Sequence, residues 1–243
     1  MAKPLSFTTR LMMNPAIRLL SLIVMIVLIA NNGNSVMAAN KTSESIAVQL
    51  PDPGRKGEHS LEAVLDERRS IRDLSAAELS LQQISQLLWA AQGITHARGL
   101  RTAPSAGALY PLELYLLVAK VEGLEAGIYH YQPRSHTLTL ITKGDKRTRL
   151  AASAYGQMWI KDSAAVLVIA AEYERTKVKY GERAIRYVHI EVGHAAQNVY
   201  LQATALGLGT TFVGAFLDSG VAAVMDLDRE HEPLAILPLG KPR

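Results

Sequence analysis

Residues 181–206 read GERAIRYVHIEVGHAAQNVYLQATAL, which predicts one long helix near the centre of the fold. Its apolar side chains recur three or four positions apart, the spacing that lines one face of an α-helix. They are Ile185, Val188, Val192, Ala196, Val199, Ala203 and Leu206. Because this apolar stripe is continuous, we expect a single core helix against which the other elements pack.

Shorter elements are predicted on both sides of this helix. Leu61, Val64 and Leu65 lie at helical spacing, and Ser80 with Gln83 forms a capping box that begins a second helix. Short apolar or β-rich runs bounded by Gly, Pro and polar residues predict strands. These runs are residues 114–119, 127–131, 138–141, 164–171, 210–217 and 234–239, with a short helix around 221–227. The alternation of helices and strands predicts an α/β pattern.

The composition of the 243 residues restricts the class of protein. Hydrophobic residues make up 49% and charged residues 20%, which excludes a disordered polyelectrolyte and favours one globular domain. Lys3, Arg10 and Arg18 account for three of the four net positive charges, so we expect no nucleic-acid partner for the nearly neutral remainder. The chain has no Cys, which excludes disulfides, thiolate nucleophiles and Cys-based metal sites.

Residues 1–38 have the three parts of a signal peptide. A basic stretch ends at Arg18, an apolar run covers residues 19–30, and Val36 and Ala38 are small residues at the spacing that a signal peptidase accepts. The apolar run is shorter than the roughly 20 residues of a membrane-spanning helix. We therefore expect an exported protein, periplasmic or secreted, with an uncleaved membrane anchor as the alternative.

The stretch after this leader has the composition of a linker. Residues 39–60 contain four Pro and Gly residues and show little periodicity. The predicted organisation is a signal peptide at 1–38, a linker-like stretch at 39–60 and one domain at 61–243.

Four segments carry possible chemistry, and the first two lie before the long helix. Residues 68–72, Arg-Arg-Ser-Ile-Arg, combine three guanidinium groups with a hydroxyl, and Arg offers a rigid fork of donors that matches phosphate oxygens. The alternative is a solvated basic turn. Residues 104–111, PSAGALYP, form a small-residue loop whose backbone amides can approach a flat ligand, although by itself it is only a loop.

The other two segments follow the long helix. Residues 207–216, GLGTTFVGAF, place glycines at the end of that helix, and Gly214 interrupts a predicted strand. A glycine in a strand often marks close approach of a ligand or another backbone. The tail at 237–243, LPLGKPR, adds two more cations beside a turn.

In this order and spacing, the segments resemble the flavin-dependent nitroreductase superfamily. Together with Lys179-Tyr180-Gly181, Arg186-Tyr187, Glu191-x-Gly193-His194-x-x-Gln197-Asn198 and Gly207-Leu208-Gly209, they resemble most its SagB/ThcOx-like (McbC-like) branch, which includes the azoline dehydrogenases. The resemblance runs from about Leu61 to the C-terminus. Many nitroreductases have Asn and then Gln-Pro-Trp where this chain has Ala108 and Tyr110-Pro111-Leu112, and this departure favours the SagB-like branch.

The resemblance implies an α+β nitroreductase-like fold, with a mixed, mostly antiparallel central sheet flanked by helices, and an obligate-type homodimer that binds FMN at its subunit interface. The implied phosphate ligands are Arg68, Ser70, Arg72 and Lys241, with Arg69 a weaker candidate. The implied loop that reaches the cofactor from the partner chain consists of Pro104, Ser105, Ala106 and Gly107. The backbone of Gly214 and Ala215 is implied to pass near the reactive N5 edge of the flavin.

Lys179 and Tyr180 match a pair that the azoline dehydrogenases use catalytically. Oxidation of an azoline removes a proton from one carbon while hydride leaves another, so a neutral amine is a sensible base. A Lys serves in this way only if burial or a neighbouring cation lowers its pKa. Arg183 would be such a neighbour if one helix ran through both residues. The alternative is an ordinary surface Lys beside a half-buried packing Tyr.

The histidines of the long helix do not predict a metal site. His189 and His194 project about 140° apart on a helix, so they cannot close on one ion. We expect instead that Glu191, His194, Gln197 and Asn198 form a buried polar network at a helix or subunit interface. Trp89 and Trp159 lie among apolar residues and are expected in the core or an interface.

The expected function is that of an exported FMN-dependent oxidoreductase, which exchanges hydride between flavin N5 and a small-molecule or peptide substrate. The alternatives are an NAD(P)H-dependent nitro- or quinone-type reductase, a non-catalytic flavin-binding protein, and an exported α/β binding protein without flavin. The chain has no Gly-x-Ser-x-Gly elbow, phosphate loop or dinucleotide fingerprint.

Overall fold

The computed structural model describes residues 47–75 and 77–243. The signal peptide predicted at residues 1–38 lies outside this part of the chain. Within it, no helix combines the length and apolar character needed to cross a membrane.

One antiparallel sheet organises the described part of the chain. Its strands are β1 (Ala47–Gln49), β2 (Leu74–Ser75), β3 (Leu112–Val118), β4 (Gly127–Gln132), β5 (Thr137–Lys143), β6 (Ala165–Ala171), β7 (Gly209–Thr210) and β8 (Glu232–Pro242). Their order is β1-β5-β4-β3-β6-β8-β2, and β7 also pairs with β8. Each of these pairs is antiparallel, in agreement with the predicted sheet type.

Helices cover both faces of the sheet. They are α1 (Leu61–Glu67), α2 (Leu81–Gln92), α3 (Arg147–Ser153), α4 (Glu174–Tyr180), α5 (Ala184–Ala205) and α6 (Asp218–Met225). α2 and α5 pack on one face, and α3 and α6 on the other. The predicted capping box is present at the start of α2, where Ser80 and Gln83 bond each other's backbone N–H groups.

The two central strands are apolar on both sides because both sheet faces are covered. Side chains of a strand alternate between faces. On β3, Leu114 and Leu116 therefore join the core under α2 and α5, whereas Tyr115 and Leu117 join the core under α3 and α6. All seven residues of β6 are buried. The unbroken apolar run at 164–171 thus reflects a doubly covered strand.

The long helix begins later than predicted. α5 starts at Ala184, and Gly181 ends α4 with φ 54° and ψ −140°, a conformation outside the helical region. Because glycine lacks a Cβ, it adopts this positive φ at low cost. Residues 181–183 form a single 3₁₀ turn between α4 and α5. Consequently, no continuous helix connects Lys179 to Arg183.

The strand predicted at residues 210–217 is wrong beyond Thr210. β7 ends there, and only Val213 makes a further isolated bridge, to Ile236. The N–H of Phe212 donates to the hydroxyl of Tyr200 instead of to a neighbouring strand. Thr210 and Val213 face β8 in the same register, but this register places Thr211 opposite Pro238, which has no N–H to donate. The ladder is therefore interrupted after Thr210, and residues 211–217 form a loop around the Val213 bridge.

The stretch predicted as linker-like contacts the domain from residue 47 onward. β1 pairs with β5, and Leu50 is buried in the core. Ser85 Oγ donates to the Pro51 carbonyl at 2.5 Å, and the N–H of Gly54 donates to Gln86 Oε1 at 2.8 Å. These contacts hold residues 47–54 against β5 and α2.

Candidate functional site

The loop at residues 104–110 lies against Lys179 and Tyr180 of the same chain. A Cβ placed on Gly107 would lie 3.0 Å from Tyr180 Oη and 3.1 Å from Lys179 Nζ. Gly107 also has φ 62°, in the left-handed region that favours glycine. The structure therefore brings the predicted flavin loop and the predicted catalytic pair together.

Side chains from inside and outside the loop hold its backbone. Ala108 and Tyr110 have positive φ values of 55° and 50°, which non-glycine residues adopt only at a cost in energy. Ser105 Oγ accepts the Tyr110 N–H at 2.8 Å, and Arg175 donates to the Tyr110 carbonyl at 3.2 Å. Glu191 Oε1 accepts the Ala106 N–H at 2.9 Å. These three bonds stabilise the strained conformation.

Glu191 is the buried group of this cluster, with 4% of the residue exposed. Burial raises the pKa of its carboxyl, although bonds from Ala106 and Ser105 and the charges of His194 and Arg101 oppose the rise.

The buried network predicted along α5 does not form within the protomer. Glu191 bonds to the 104–110 loop, and Asn198 donates to the Ala90 carbonyl at 3.0 Å. His194 and Gln197 are exposed. Although Glu191, His194, Gln197 and Asn198 share one side of α5, the elements that pack against this side differ from turn to turn, so the four side chains do not bond to one another.

Glu191→Gln is expected to be more stable than the wild type, by a margin that grows as the pH rises above about 4.5, the ordinary pKa of a Glu carboxyl. A carboxyl whose pKa is raised on folding destabilises the folded state when it ionises. Gln carries no charge, and its side-chain oxygen can still accept the Ala106 N–H. Thermal unfolding from about pH 4 to about pH 8 measures the difference. The exposed Glu230→Gln is the control. A difference that is constant with pH would contradict this assignment.

Lys179 and Tyr180 end α4 beside a second aromatic ring. Lys179 Nζ lies 5.4 Å from the centre of the Tyr180 ring, and this ring packs edge-on against Tyr187 at 5.1 Å. Arg183 donates to the Tyr187 hydroxyl at 3.1 Å. Gly181 interrupts the helix, so the condition under which Arg183 would lie one helical turn from Lys179 is not met. The Lys179 amine lies close to the Tyr180 ring and to the backbone at Gly107.

A charged network that the sequence analysis missed connects α4 to β3. Arg175 pairs with Glu113 and Glu172, each at 2.5 Å, and the second oxygen of Glu113 lies 2.7 Å from His130 Nε2. Burial alone would raise the pKa of Glu113, but the bonds from His130 and Arg175 outweigh it and lower the pKa. Glu113, an acid within the apolar run of β3, is the feature of the sequence that could have indicated this network. The network fixes the helix that carries Lys179 and Tyr180.

The predicted phosphate segment lies in a separate cluster around Tyr200 and Trp159. Ser70 Oγ is 3.0 Å from the Tyr200 hydroxyl, and the Arg68 guanidinium lies 5.3 Å from the centre of the Tyr200 ring. Arg72 lies 6.0 Å from the centre of Trp159, which packs against the second core. The guanidinium groups of Arg68 and Arg72 thus each lie within cation–π distance of an aromatic ring.

Arg69 has a different role within the described contacts. Its Nη1 donates to the carbonyls of Asp66 at 2.5 Å and Arg68 at 2.8 Å. Bonds to the last carbonyls of a helix stabilise its C-terminal end. In the structure, the Arg69 side chain therefore stabilises the C-terminal end of α1.

Two glycines let the phosphate segment pack closely on the sheet. A Cβ on Gly209 would lie 2.7 Å from Leu74 Cδ2 and 2.9 Å from Ile71 Cγ2. The Ile71 N–H donates to the Thr210 carbonyl at 2.9 Å, and a Cβ on Gly240 would meet the Ser75 carbonyl at 3.0 Å. The segment is thus fixed at β7 and β8.

Lys241 lies opposite Ser75 in the β2–β8 ladder. It lines a cavity of about 300 Å³ together with Glu78 and Glu122. Two carboxylates are thus the charged groups around this cavity, and a role for Lys241 at a phosphate stays a prediction.

The loop that contains Gly214 and Ala215 lies near the same cluster. Gln157 donates to the Ala215 carbonyl at 3.1 Å, and Phe212 bonds to Tyr200. Within the described structure, the buried hydroxyls of Thr210 and Thr211 have no hydrogen-bond partner. Both Thr residues are almost fully buried, and the Thr210 carbonyl accepts the Ile71 N–H of the predicted phosphate segment. The groups whose chemistry suits the phosphate of FMN are the guanidinium groups of Arg68 and Arg72 and the hydroxyl of Ser70.

The described residues contain no group of three His, Asp or Glu side chains able to hold a metal ion. His189 bonds to the Tyr173 hydroxyl at 2.7 Å, and burial raises the pKa of that phenol to about 12.

The family model for the Nitroreductase family matches residues 65–241. The chain therefore belongs to the nitroreductase family, whose sheet and long helix are the ones described above.

Particular relatives narrow the assignment. A Methanocaldococcus jannaschii protein, whose name assigns it to the nitroreductases, is 46% identical over 198 residues, which are 82% of this chain and 98% of that protein. The microcin B17-processing protein McbC of Escherichia coli is 33% identical over 171 residues, 65% of this chain and 61% of McbC. A structure of the E. coli microcin synthetase McbBCD complex with truncated pro-MccB17 gives a TM-score of 0.65 at 25% identity, covering 95% of each chain. The McbC-like resemblance is confirmed.

Proposed function

We propose that the protein is an FMN-dependent oxidoreductase that exchanges hydride between flavin N5 and a small or peptidic substrate. The observation that carries the proposal is the contact of Gly107 with Lys179 and Tyr180. It places an amine and a phenol beside the small-residue loop that the resemblance assigns to the flavin. A peptide as substrate is supported by the similarity to McbC, whose complex is known with truncated pro-MccB17.

The chain's own residues would bind and orient the cofactor and the substrate. Arg68, Ser70 and Arg72 supply charge-assisted donors for the phosphate of FMN. The loop from Pro104 to Gly107, fixed by Glu191, supplies one wall of the ring slot. FMN, when bound, supplies the hydride acceptor or donor.

Lys179 and Tyr180 would handle the proton. We infer that Tyr180 Oη holds the substrate heteroatom by a hydrogen bond and that Lys179 Nζ takes a proton from the substrate carbon next to the one that loses hydride. Lys179 is exposed in the protomer, so this role requires that the bound substrate and the second copy bury it. A positioned general base typically contributes about 10²–10⁴-fold to a rate. The Glu113–Arg175 pair holds the helix and thereby keeps both groups against Gly107.

The positions of the two clusters on α5 support a homodimer. Glu191 contacts the catalytic loop and Tyr200 contacts the phosphate segment. Nine residues separate them, so they project in roughly opposite directions and lie about 14 Å apart along the helix. One FMN cannot contact both clusters of the same protomer on opposite sides of a core helix. A second copy would complete each site, in agreement with the loop expected from the partner chain.

Exposed apolar side chains lie beside the catalytic pair. Val178 is 89% exposed, and Ile185 and Ile190 are also exposed. Ile185 and Ile190 line an open groove of about 750 Å³ with Arg186 and His189. Contiguous apolar surface on a water-facing helix is typical of an interface. These residues support the placement of a second copy next to Lys179.

The test measures the visible spectrum and the mass of the purified protein after incubation with FMN. We expect one FMN per chain and a dimer. A colourless protein that ignores FMN would overturn the cofactor proposal, and a monomer that binds FMN fully would overturn the composite site. Flavin that is reduced by dithionite but by no organic donor would indicate a non-catalytic flavin-binding protein.

A second candidate function is an NAD(P)H-dependent nitro- or quinone-type reductase, which the name of the M. jannaschii relative favours. The proposed export of the chain opposes it, because NAD(P)H is scarce outside the cytoplasm. Rapid bleaching of the bound flavin by NAD(P)H would support this candidate, whereas no bleaching would exclude it.

A further inference from the structure

We propose that Tyr200 is a positioning residue that couples the phosphate end of the flavin site to the loop at its reactive edge. The inference rests on the proposed function, because it concerns residues that would contact FMN. Tyr200 belongs to α5, whose apolar stripe did not single it out.

The Tyr200 side chain contacts both parts of the predicted cofactor site. Its hydroxyl accepts the Phe212 N–H at 2.6 Å and lies 3.0 Å from Ser70 Oγ. Its ring lies 5.3 Å from the Arg68 guanidinium. One phenol thus contacts the phosphate segment on one side and, on the other, the loop that continues to Gly214 and Ala215.

The direction of these hydrogen bonds suits anion binding. The Tyr200 oxygen accepts from Phe212, so its own hydrogen can be donated to Ser70 Oγ. With its oxygen used as an acceptor, Ser70 keeps its hydroxyl hydrogen for a phosphate oxygen. The Tyr200 ring lies within cation–π distance of the Arg68 guanidinium, whose N–H groups can donate to a second phosphate oxygen.

The surroundings make this arrangement rigid. Tyr200 is 8% exposed, and the N–H of Ile71, between the two phosphate ligands, donates to Thr210. Removal of the phenol oxygen would leave the Phe212 N–H without its acceptor and would let Ser70 rotate. Loss of the Tyr200 phenol oxygen would therefore change both the phosphate segment and the loop that begins at Phe212.

The experiment compares Tyr200→Phe with the wild type for FMN and for riboflavin, which lacks the phosphate. We expect the FMN dissociation constant to rise about five- to tenfold, in keeping with one or two lost hydrogen bonds, and the preference for FMN over riboflavin to fall. The visible spectrum of bound FMN is expected to shift, since the Phe212–Ala215 loop moves. The control is Tyr129→Phe, a buried Tyr on β4 whose hydroxyl donates to the Glu125 carbonyl.

Ser70→Ala separates the two effects. It is expected to lower the preference for FMN without a spectral shift, because Tyr200 still holds Phe212. The double variant Tyr200→Phe with Ser70→Ala should lose no more of that preference than Ser70→Ala alone, as expected for residues that act through one another.

Each outcome decides the proposal. A lower Tm in Tyr200→Phe with unchanged flavin preference and spectrum would reduce Tyr200 to a structural residue and overturn the inference while FMN binding stands. A changed preference without a spectral shift would overturn the coupling. If the losses of FMN preference in Tyr200→Phe and Ser70→Ala add up in the double variant, the coupling is overturned as well. This comparison can still be made if Tyr200→Phe binds flavin weakly. A wild type that fails to bind FMN would overturn both the inference and the proposed function.

Discussion

Lys179→Ala is expected to lower turnover by about 10²–10⁴-fold while FMN stays bound at the wild-type stoichiometry. The Lys179 amine reaches Gly107 from α4, whereas the phosphate segment lies in the cluster around Tyr200. Loss of the amine therefore removes the proposed base without removing a cofactor ligand. The assay follows oxidation of a synthetic thiazoline-containing peptide to the thiazole, by absorbance and by the loss of two hydrogens in the mass spectrum.

Lys177→Ala is the matched control for this variant. Lys177 belongs to the same helix and carries the same charge, but its amine pairs with Glu174 at 2.8 Å on the surface. Its turnover should stay close to that of the wild type. Equal losses in both variants would assign the effect to the charge or stability of α4, and full turnover in Lys179→Ala would remove Lys179 from the mechanism.

Replacing both Arg68 and Arg72 with Gln is expected to weaken FMN binding by about 10²-fold or more. A hydrogen bond to a charged group contributes about 1.5–3 kcal/mol, and each 1.4 kcal/mol is about tenfold in affinity. Both guanidinium groups lie within cation–π distance of an aromatic ring, on a segment that the Ile71 N–H ties to Thr210 of β7. Fluorescence titration with FMN measures the loss, and riboflavin binding should change much less.

Arg69→Gln is the control for the double variant. This side chain bonds to two backbone carbonyls at the end of α1, so its loss should cost some stability and leave FMN affinity within about threefold of the wild type. A large loss in Arg69→Gln would make Arg69 a phosphate ligand. Unchanged affinity in the Arg68 and Arg72 variant would remove the phosphate site from residues 68–72.

Local pattern was sufficient to predict most elements. The apolar stripe of α5 and the capping box of α2 depend on residues three or four apart, and the structure has both helices. Two predicted boundaries were wrong. The strand is interrupted after Thr210 because Pro238, which lies opposite Thr211 only through the pairing with β8, has no N–H to donate. α5 starts late because Gly181, within the predicted stretch itself, adopts a positive φ.

The contacts of the charged side chains were also beyond local pattern. Glu113 lies in an apolar strand, and its partners come from β4 and α4. The pairing of Glu191 with the 104–110 loop joins residues 85 positions apart. Such contacts depend on strand register and helix packing. These cannot be predicted from the spacing of residues along a single helix.

The sequence by itself determined which chemical groups this protein has and which short segments carry them: cations at 68–72, small residues at 104–107 and the Lys179–Tyr180 pair. Only the tertiary structure decided which of these segments meet. Gly107 contacts Lys179, and Ser70 contacts Tyr200 from 130 positions away, on roughly opposite sides of α5. The physical reason is that local spacing sets the helices and strands, whereas contacts between distant residues form only when the sheet order and the packing of both cores are established.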